Sequence, residues 1–126
     1  ADPGQEVIVG MSRYRRYGPL VMFGLGGIFV EVFKDVVFGL APIGRNDARQ
    51  MIQGIRGLTI LKGYRGKSPS DLDALERVLV GVSSMVVNHP EIHELDINPL
   101  IVHEKGKGAT AADCRIILKA GGSNAI

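Results

Sequence analysis

Residues 94–100 of the sequence, Glu94-Leu95-Asp96-Ile97-Asn98-Pro99-Leu100, carry the strongest structural signal. The first five of these residues alternate polar and apolar side chains, which is the pattern of a β-strand with one wet face and one buried face. A polar turn at residues 105–108 follows, and a second strand-like run then extends from Ala109 to Leu118. The two runs together predict a β-hairpin.

Four polar side chains of this hairpin are predicted to share one face. Facing residues of paired strands point to the same side, and side chains alternate along each strand. If position 98 lies opposite 113 or 115, Asn98 and Asp113 share the wet face, and Asp96 and Arg115 join them. Mg²⁺ prefers hard oxygen ligands and is usually held by one or two carboxylates plus substrate phosphates. Since an adjacent arginine can steady a phosphoryl group, the pattern indicates a phosphoryl-transfer site.

Two simpler interpretations of the same residues stay open at this point. Polar side chains on the open face of an antiparallel sheet are ordinary, and Asp96 beside Arg115 could form no more than a surface ion pair. Pro99 cannot donate to a strand ladder, so it could mark an edge or a bulge and change which side chains share a face.

Composition places the chain among ordinary soluble domains. Its 126 residues, 45% hydrophobic and 22% charged, suit one domain with a modest core. A net charge of +2 does not favour binding to nucleic acid or to a membrane surface, and no apolar run approaches membrane-spanning length. Cys114 is the single cysteine, which excludes an internal disulfide and fits a reducing, cytoplasmic location. Its place on the apolar side of its strand predicts a small core residue.

The remaining elements follow from hydrophobic spacing. Strands are predicted over Glu6–Met11 and Leu20–Phe23, and a further apolar run covers Val36–Ala41. A helix over Asp47–Ile55 is expected with Asn46 as its cap, and a longer helix follows Ser70 and ends before Pro90. The order of strands, two helices and strands predicts an α+β domain over residues 1–119, with helices on one face of a mainly antiparallel sheet. Residues 120–126 show no pattern and are expected to form a flexible tail.

A glycine-rich turn, Gly24-Leu25-Gly26-Gly27, follows the second predicted strand. Such turns let backbone N–H groups approach phosphate oxygens closely. The turn lacks the glycine spacing and the GK[ST] ending of the nucleotide-binding fingerprints. On its own it therefore allows either a phosphate contact or an ordinary turn.

Three segments together resemble a known family. They are Gly4-Gln5-Glu6-Val7-Ile8-Val9-Gly10, the run from Gly18 to Glu31 (GPLVMFGLGGIFVE) and Glu94–Leu100. They are similar to the ATP-grasp β subunits of ADP-forming acyl-CoA synthetases, of which the ADP-forming acetyl-CoA synthetase is the best-known type and to which succinyl-CoA synthetase is related. The resemblance covers nearly the whole chain apart from the tail.

The resemblance implies a reaction in steps. An acyl-CoA reacts with phosphate to give an acyl phosphate, the phosphoryl group moves to a histidine, and the phosphohistidine converts ADP (or GDP) to the triphosphate in the ATP-grasp part with Mg²⁺. By the same resemblance, Asn98 and Asp113 match the magnesium ligands, and Asp96 matches an acidic position near the incoming phosphohistidine. Gly26 and Gly27 match a glycine turn that lines the pocket. Arg115 joins this set through the shared face.

The resemblance also implies partners and a larger parent protein. A CoA-binding α subunit or domain would carry the phosphohistidine, which predicts a hetero-oligomer. The chain resembles the C-terminal portion of an ATP-grasp fold, so alone it is expected to lack the complete activity. Two alternatives remain: an ATP-grasp module of a multidomain synthetase/acetyltransferase relative, and a non-catalytic subunit-assembly module. Residues 13–18 (RYRRYG) depart from the family's Arg-Asp-Pro-Gln-Phe-Gly, which leaves the role of the basic loop from Arg13 to Arg16 open.

Overall fold

A computed structural model describes residues 4–26, 35–63, 66 and 68–119. These ranges contain six strands and three helices. In chain order they are β1 (Gln5–Tyr14), β2 (Gly18–Leu25), β3 (Val36–Leu40), α1 (Arg45–Gln53), α2 (Leu58–Leu61), α3 (Leu72–Asn88), β4 (Ile92–Val102), β5 (Ala109–Ala111) and β6 (Cys114–Leu118). The predicted α+β class is confirmed, and the short helix α2 adds to the two helices that the spacing indicated.

All six strands form one antiparallel sheet. Its order is β3-β2-β1-β4, and both β5 and β6 pair with the outer side of β4. The second run of the hairpin is thus one strand path with a break at Ala112 and Asp113. β4 is the central partner, since it joins the β1–β2–β3 meander to the strands that carry Asp113 and Arg115.

The helices cover one face of this sheet. Alternate residues of β1, β2 and β4 point into a core that the apolar stripes of α1 and α3 complete. Phe23 is 0% exposed at the centre of this core, and burying such a side chain stabilises a fold by about 1.5–3 kcal/mol. Within the described ranges, none of the helices is long and apolar enough to cross a membrane.

Both predicted helix caps are displaced by one or two residues. Gly44, and not Asn46, is the N-cap of α1, and its N–H donates to the Asp47 carboxylate. The chain is fixed just before this point because Ile43 N–H donates to the buried Ser83 hydroxyl at 2.6 Å. Asp71, and not Ser70, caps α3, since its carboxylate accepts the N–H of Ala74.

The basic segment after β1 is partly structural. Arg13 belongs to β1, and its guanidinium donates to three carbonyl oxygens at the end of α3 and the start of β4: Ile92 at 2.9 Å, Val86 at 2.7 Å and His89 at 3.4 Å. Because the last carbonyls of a helix lack intrahelical donors, Arg13 satisfies them and ties the first hairpin to α3. Arg15 and Arg16 lie exposed in the turn.

The expectation of a buried Cys114 is wrong. Cys114 lies opposite Ile97, on the helix side of the sheet as predicted, but its side chain is exposed. The physical reason is its position on β6 at the sheet edge, whereas α1 and α3 pack mainly over β2, β3 and β4.

Candidate functional site

The strand register brings Asn98 and Asp113 together. Asp96 pairs with Arg115 and Ile97 with Cys114, so the next pair in the same register is Asn98 with Asp113. The backbone agrees, because Asn98 N–H donates to the Asp113 carbonyl at 3.0 Å. The pairing on which the shared-face prediction depended is therefore present.

Pro99 does create a bulge, on the side of β4 that leaves this pairing intact. Towards β1, Val7 pairs with Leu100 and Val9 with Ile97, so Ile8 faces two β4 residues, Asn98 and Pro99. Towards β5 and β6, each β4 residue faces one residue, because Leu100 pairs with Ala111 and Ala112 N–H donates to the Pro99 carbonyl at 3.0 Å. The bulge shifts the register between β4 and β1 and leaves Asn98 next to Asp113.

The alternation of the sequence sets which side chains reach solvent. Leu95 and Ile97 are buried in the core, while Asp96 and Asn98 between them are exposed, as are Asp113 and Arg115 on the partner strand. We call the side of the sheet that the described helices leave uncovered the open face. Within the described part of the chain, these four side chains form no ion pair or hydrogen bond with one another. Their carboxylate, amide and guanidinium groups are thus available to a ligand.

A single cross-strand row on the open face links this polar group to the other side of the sheet. Phe38 pairs with Met22, Met22 with Gly10, Gly10 with Asp96, and Asp96 with Arg115. The row is apolar at its β3 end and charged at its β6 end. Gly10 and Met22 were not among the residues singled out from the sequence, although a glycine inside an apolar strand is itself a signal of close approach by another group.

The described residues contain no group of three or more His, Cys, Asp or Glu side chains that could hold a metal ion. The open face therefore offers one carboxylate and one amide oxygen on neighbouring strands, with a second carboxylate one pair further along. Such a sparse set suits a cation that takes its remaining ligands from phosphates and water.

The described part of the glycine turn lies beside the start of β1. Gly26 follows β2 directly, and its N–H donates to the Glu6 carbonyl at 2.9 Å. A Cβ there would lie 3.2 Å from the same carbonyl oxygen, so a side chain at this position would crowd β1. Because the Gly26 N–H is already used, this residue would line a pocket by its backbone path and not by donating to phosphate. Gly27 lies outside the described residues.

The hairpin that carries the site is anchored from α3. The Asp71 carboxylate accepts the N–H of Gly108 at 2.8 Å as well as that of Ala74 at 3.1 Å. Burial alone would raise the pKa of Asp71, but these bonds and one from Gly106 outweigh it and hold the pKa below its ordinary value. The turn between β4 and β5 is therefore fixed by a buried carboxylate.

Comparison with known proteins places these observations in a family context. Residues 1–118 match the family model for an ATP-grasp domain. The β subunit of the ADP-forming acetate–CoA ligase I of Pyrococcus furiosus is 50% identical over 115 residues, which cover 91% of this chain and 49% of that protein. The ADP-forming acetate–CoA ligase I of Archaeoglobus fulgidus is 45% identical over 117 residues, or 93% of this chain and 17% of that protein.

A solved structure agrees with the fold. A Candidatus Korarchaeum cryptofilum acetyl-CoA synthetase, bound to coenzyme A and Mg-AMPPCP with its phosphohistidine segment pointing towards the nucleotide-binding site, superposes with a TM-score of 0.88 at 44% identity. The alignment covers 94% of this chain and 55% of that one. The chain thus spans about half the length of the β-subunit relative and a smaller share of the longer ligase.

Proposed function

The chain belongs to the ATP-grasp family, and from this premise we propose that it supplies the phosphoryl-transfer face of an ADP-forming acyl-CoA synthetase. The intact enzyme would make ATP, or GTP, and a carboxylic acid from an acyl-CoA, phosphate and the nucleoside diphosphate. The observation that carries the proposal is the pairing of Asn98 with Asp113 beside Asp96 and Arg115 on one exposed face.

The donor set fits Mg²⁺. Asn98 and Asp113 offer an amide oxygen and a carboxylate from adjacent strands, and Mg²⁺ usually takes one or two protein ligands together with phosphate oxygens and water. When bound there, the ion would offset the charge of the nucleotide phosphates. The fixed register is what this chain contributes, since it sets the spacing of the two ligands before any nucleotide arrives.

Asp96 and Arg115 have complementary roles in the proposal. The guanidinium of Arg115 would donate to the oxygens of the transferred phosphoryl group, where charge-assisted bonds are strongest. The carboxylate of Asp96 would accept a hydrogen bond from the phosphohistidine of the partner. Support comes from their direct pairing and from the absence of an ion pair between them among the described residues.

A CoA-binding partner completes the proposal. The Pyrococcus furiosus relative is a separate β subunit, whereas the Archaeoglobus fulgidus relative is a much longer chain of which this sequence matches 17%. We therefore propose that the CoA-binding part with its phosphohistidine is supplied by an α subunit in a hetero-oligomer or by the same polypeptide. Gly26 and Gly27 would line the nucleotide pocket, and the exposed thiol of Cys114 suits a cytoplasmic enzyme.

Substitution of Asp113 in the intact enzyme tests the function. Asp113→Ala removes a charged group from an exposed position, so folding should survive while Mg²⁺-dependent formation of ATP from acetyl-CoA, phosphate and ADP falls by about 100-fold or more. Asp73→Ala is the control, because Asp73 is also an exposed carboxylate but lies on α3, where it pairs with Arg45 and Arg77 away from the open face. Equal activities of the two variants would contradict the proposal, and so would wild-type turnover without any CoA-binding partner.

A further inference from the structure

A glycine interrupts the cross-strand row at the point where the apolar half of the open face meets the charged half. Gly10 lies in the middle of β1 and is paired on both sides, with Met22 on β2 and with Asp96 on β4. Its neighbours on the same face of β1 are Ile8, which is buried, and Ser12, which is half-buried. Every other member of the row carries a side chain.

Within the described part of the chain, no contact requires glycine at this buried position. Gly10 is not one of the glycines with positive φ, so its backbone suits any residue. A Cβ at Gly10 would lie 3.4 Å from Leu95 O, 3.5 Å from Met22 Cε and 3.8 Å from Asp96 Oδ1, which are close to ordinary contacts. At Gly24, by contrast, a Cβ would approach the Asp35 carbonyl oxygen to 2.6 Å. A glycine inside a strand costs roughly 0.5–1 kcal/mol relative to alanine, so Gly10 lowers stability without any benefit to packing.

We propose that the missing side chain of Gly10 makes room for the imidazole ring of the partner's phosphohistidine. The inference rests on the proposed function and adds a positioning residue to it. Met22 and Asp96 stand two strands apart, so their Cα atoms are about 10 Å from each other. An imidazole ring that contacts Met22 at about 3.5–4.0 Å and turns its N–H edge towards Asp96 fits within this span. The flexible ends of Met22 and Asp96, which now reach over Gly10, have room to move apart because neither residue is fully buried.

The flanking groups suit this ring. The thioether of Met22 can pack against the edge or face of an aromatic ring, and the carboxylate of Asp96 can accept the N–H of the ring nitrogen that does not carry phosphorus. In the transfer, the N–P bond breaks and its electron pair stays on the ring nitrogen, while a new P–O bond forms to a terminal oxygen of ADP. The proton on the other ring nitrogen stays in place, so the ring leaves as neutral imidazole.

A pair of Gly→Ala substitutions in the intact enzyme tests this inference. Gly10→Ala should leave the melting temperature unchanged or raise it, and it should change the Mg·ADP affinity by no more than about twofold. It should slow histidine phosphorylation by ATP by about 100-fold, because displacing a reacting group by about 1 Å can cost that much. Gly81→Ala is the control: Gly81 lies exposed on α3 with open space around it, so that variant should be more stable and fully active.

Further results would separate the inference from the function on which it rests. Met22→Phe fills the same space from the neighbouring strand, so it should slow the same step even if Gly10→Ala folds poorly. A near-normal phosphorylation rate in a folded Gly10→Ala enzyme, or in Met22→Phe, overturns the inference alone. In Gly10→Ala, weaker Mg·ADP binding together with a normal rate of histidine phosphorylation at saturating nucleotide would mean that the space accommodates the nucleotide base. That result also overturns the inference. Failure of the wild-type enzyme to phosphorylate a histidine overturns the proposed function instead.

Discussion

The two faces of the sheet are built for different purposes, although the same strands form both. On the helix-covered face, apolar side chains of β1, β2 and β4 are buried against α1 and α3. On the open face, Asp96, Asn98, Asp113 and Arg115 are exposed polar groups that form no ion pair or hydrogen bond with one another in the described part of the chain. Because alternation of side chains assigns each residue to one face, stability and proposed chemistry can be changed separately. Substitutions on the first face should alter folding, and those on the second should alter ligand binding.

Two phenylalanines on adjacent strands give the largest contrast in stability. Phe23→Ala should lower the free energy of unfolding by about 3–5 kcal/mol, because it leaves a cavity in the core beneath α3. Phe38→Ala should lower it by less than about 1 kcal/mol, since Phe38 is 58% exposed on the open face. Urea unfolding followed by circular dichroism measures both. Similar losses for the two variants would show that the open face is also a packed surface.

Arg13 should have an intermediate effect. Arg13→Ala removes donors from three carbonyl groups at the end of α3 and the start of β4, and hydrogen bonds from a charged group contribute about 1.5–3 kcal/mol in total at such a half-buried site. Arg15→Ala, in the exposed turn of the same hairpin, should change stability by less than about 0.5 kcal/mol. If the two variants unfold at the same denaturant concentration, Arg13 does not hold the helix end.

Acid should destabilise the fold by protonating two carboxylates on the helix-covered side of the sheet. Burial would raise the pKa of Glu76, but hydrogen bonds from Arg49 and Arg45 outweigh it, so the pKa of Glu76, like that of Asp71, is lowered in the fold. A lowered pKa means that the carboxylate stabilises the fold above its unfolded pKa, and that this contribution is lost as pH falls through the folded value. The free energy of unfolding should therefore decline below about pH 5.

The variant Asp71→Asn tests the assignment of that acid sensitivity. It should be less stable than the wild type at neutral pH, by about 0.5–2 kcal/mol for a weakened cap, and the difference should shrink as pH falls below 4. Unfolding midpoints measured at several pH values give both numbers. A constant difference across the pH range would mean that the charge of Asp71 contributes nothing.

The sequence predicts the residues of the open face better than it predicts the helix caps and the extent of the helix layer. Alternation at residues 94–98 suffices to predict the hairpin and the shared face of Asn98 and Asp113, because strand periodicity is local. The sequence left the partner of Asn98 open between 113 and 115, and the register of the structure selects Asp113. The helix starts are different. Gly44 caps α1 where its N–H donates to Asp47 and where Ser83 holds the preceding Ile43, and the carboxylate of Asp71 also accepts the N–H of Gly108 in the distant β4–β5 turn. Cys114 was placed on the correct side, but its exposure depends on how far the helix layer extends.

Asn98 and Asp113 are proposed to bind one ion together, and a double-mutant cycle measures whether they do. In the intact enzyme, the Mg²⁺ dependence of nucleotide binding is measured for Asn98→Ala, Asp113→Ala and the double variant. Each single substitution should raise the half-saturating Mg²⁺ concentration by about tenfold or more, and the double variant should lose clearly less than the sum of the two, since groups that share a partner are not additive. Additive losses, or single variants with wild-type Mg²⁺ dependence, would contradict the account.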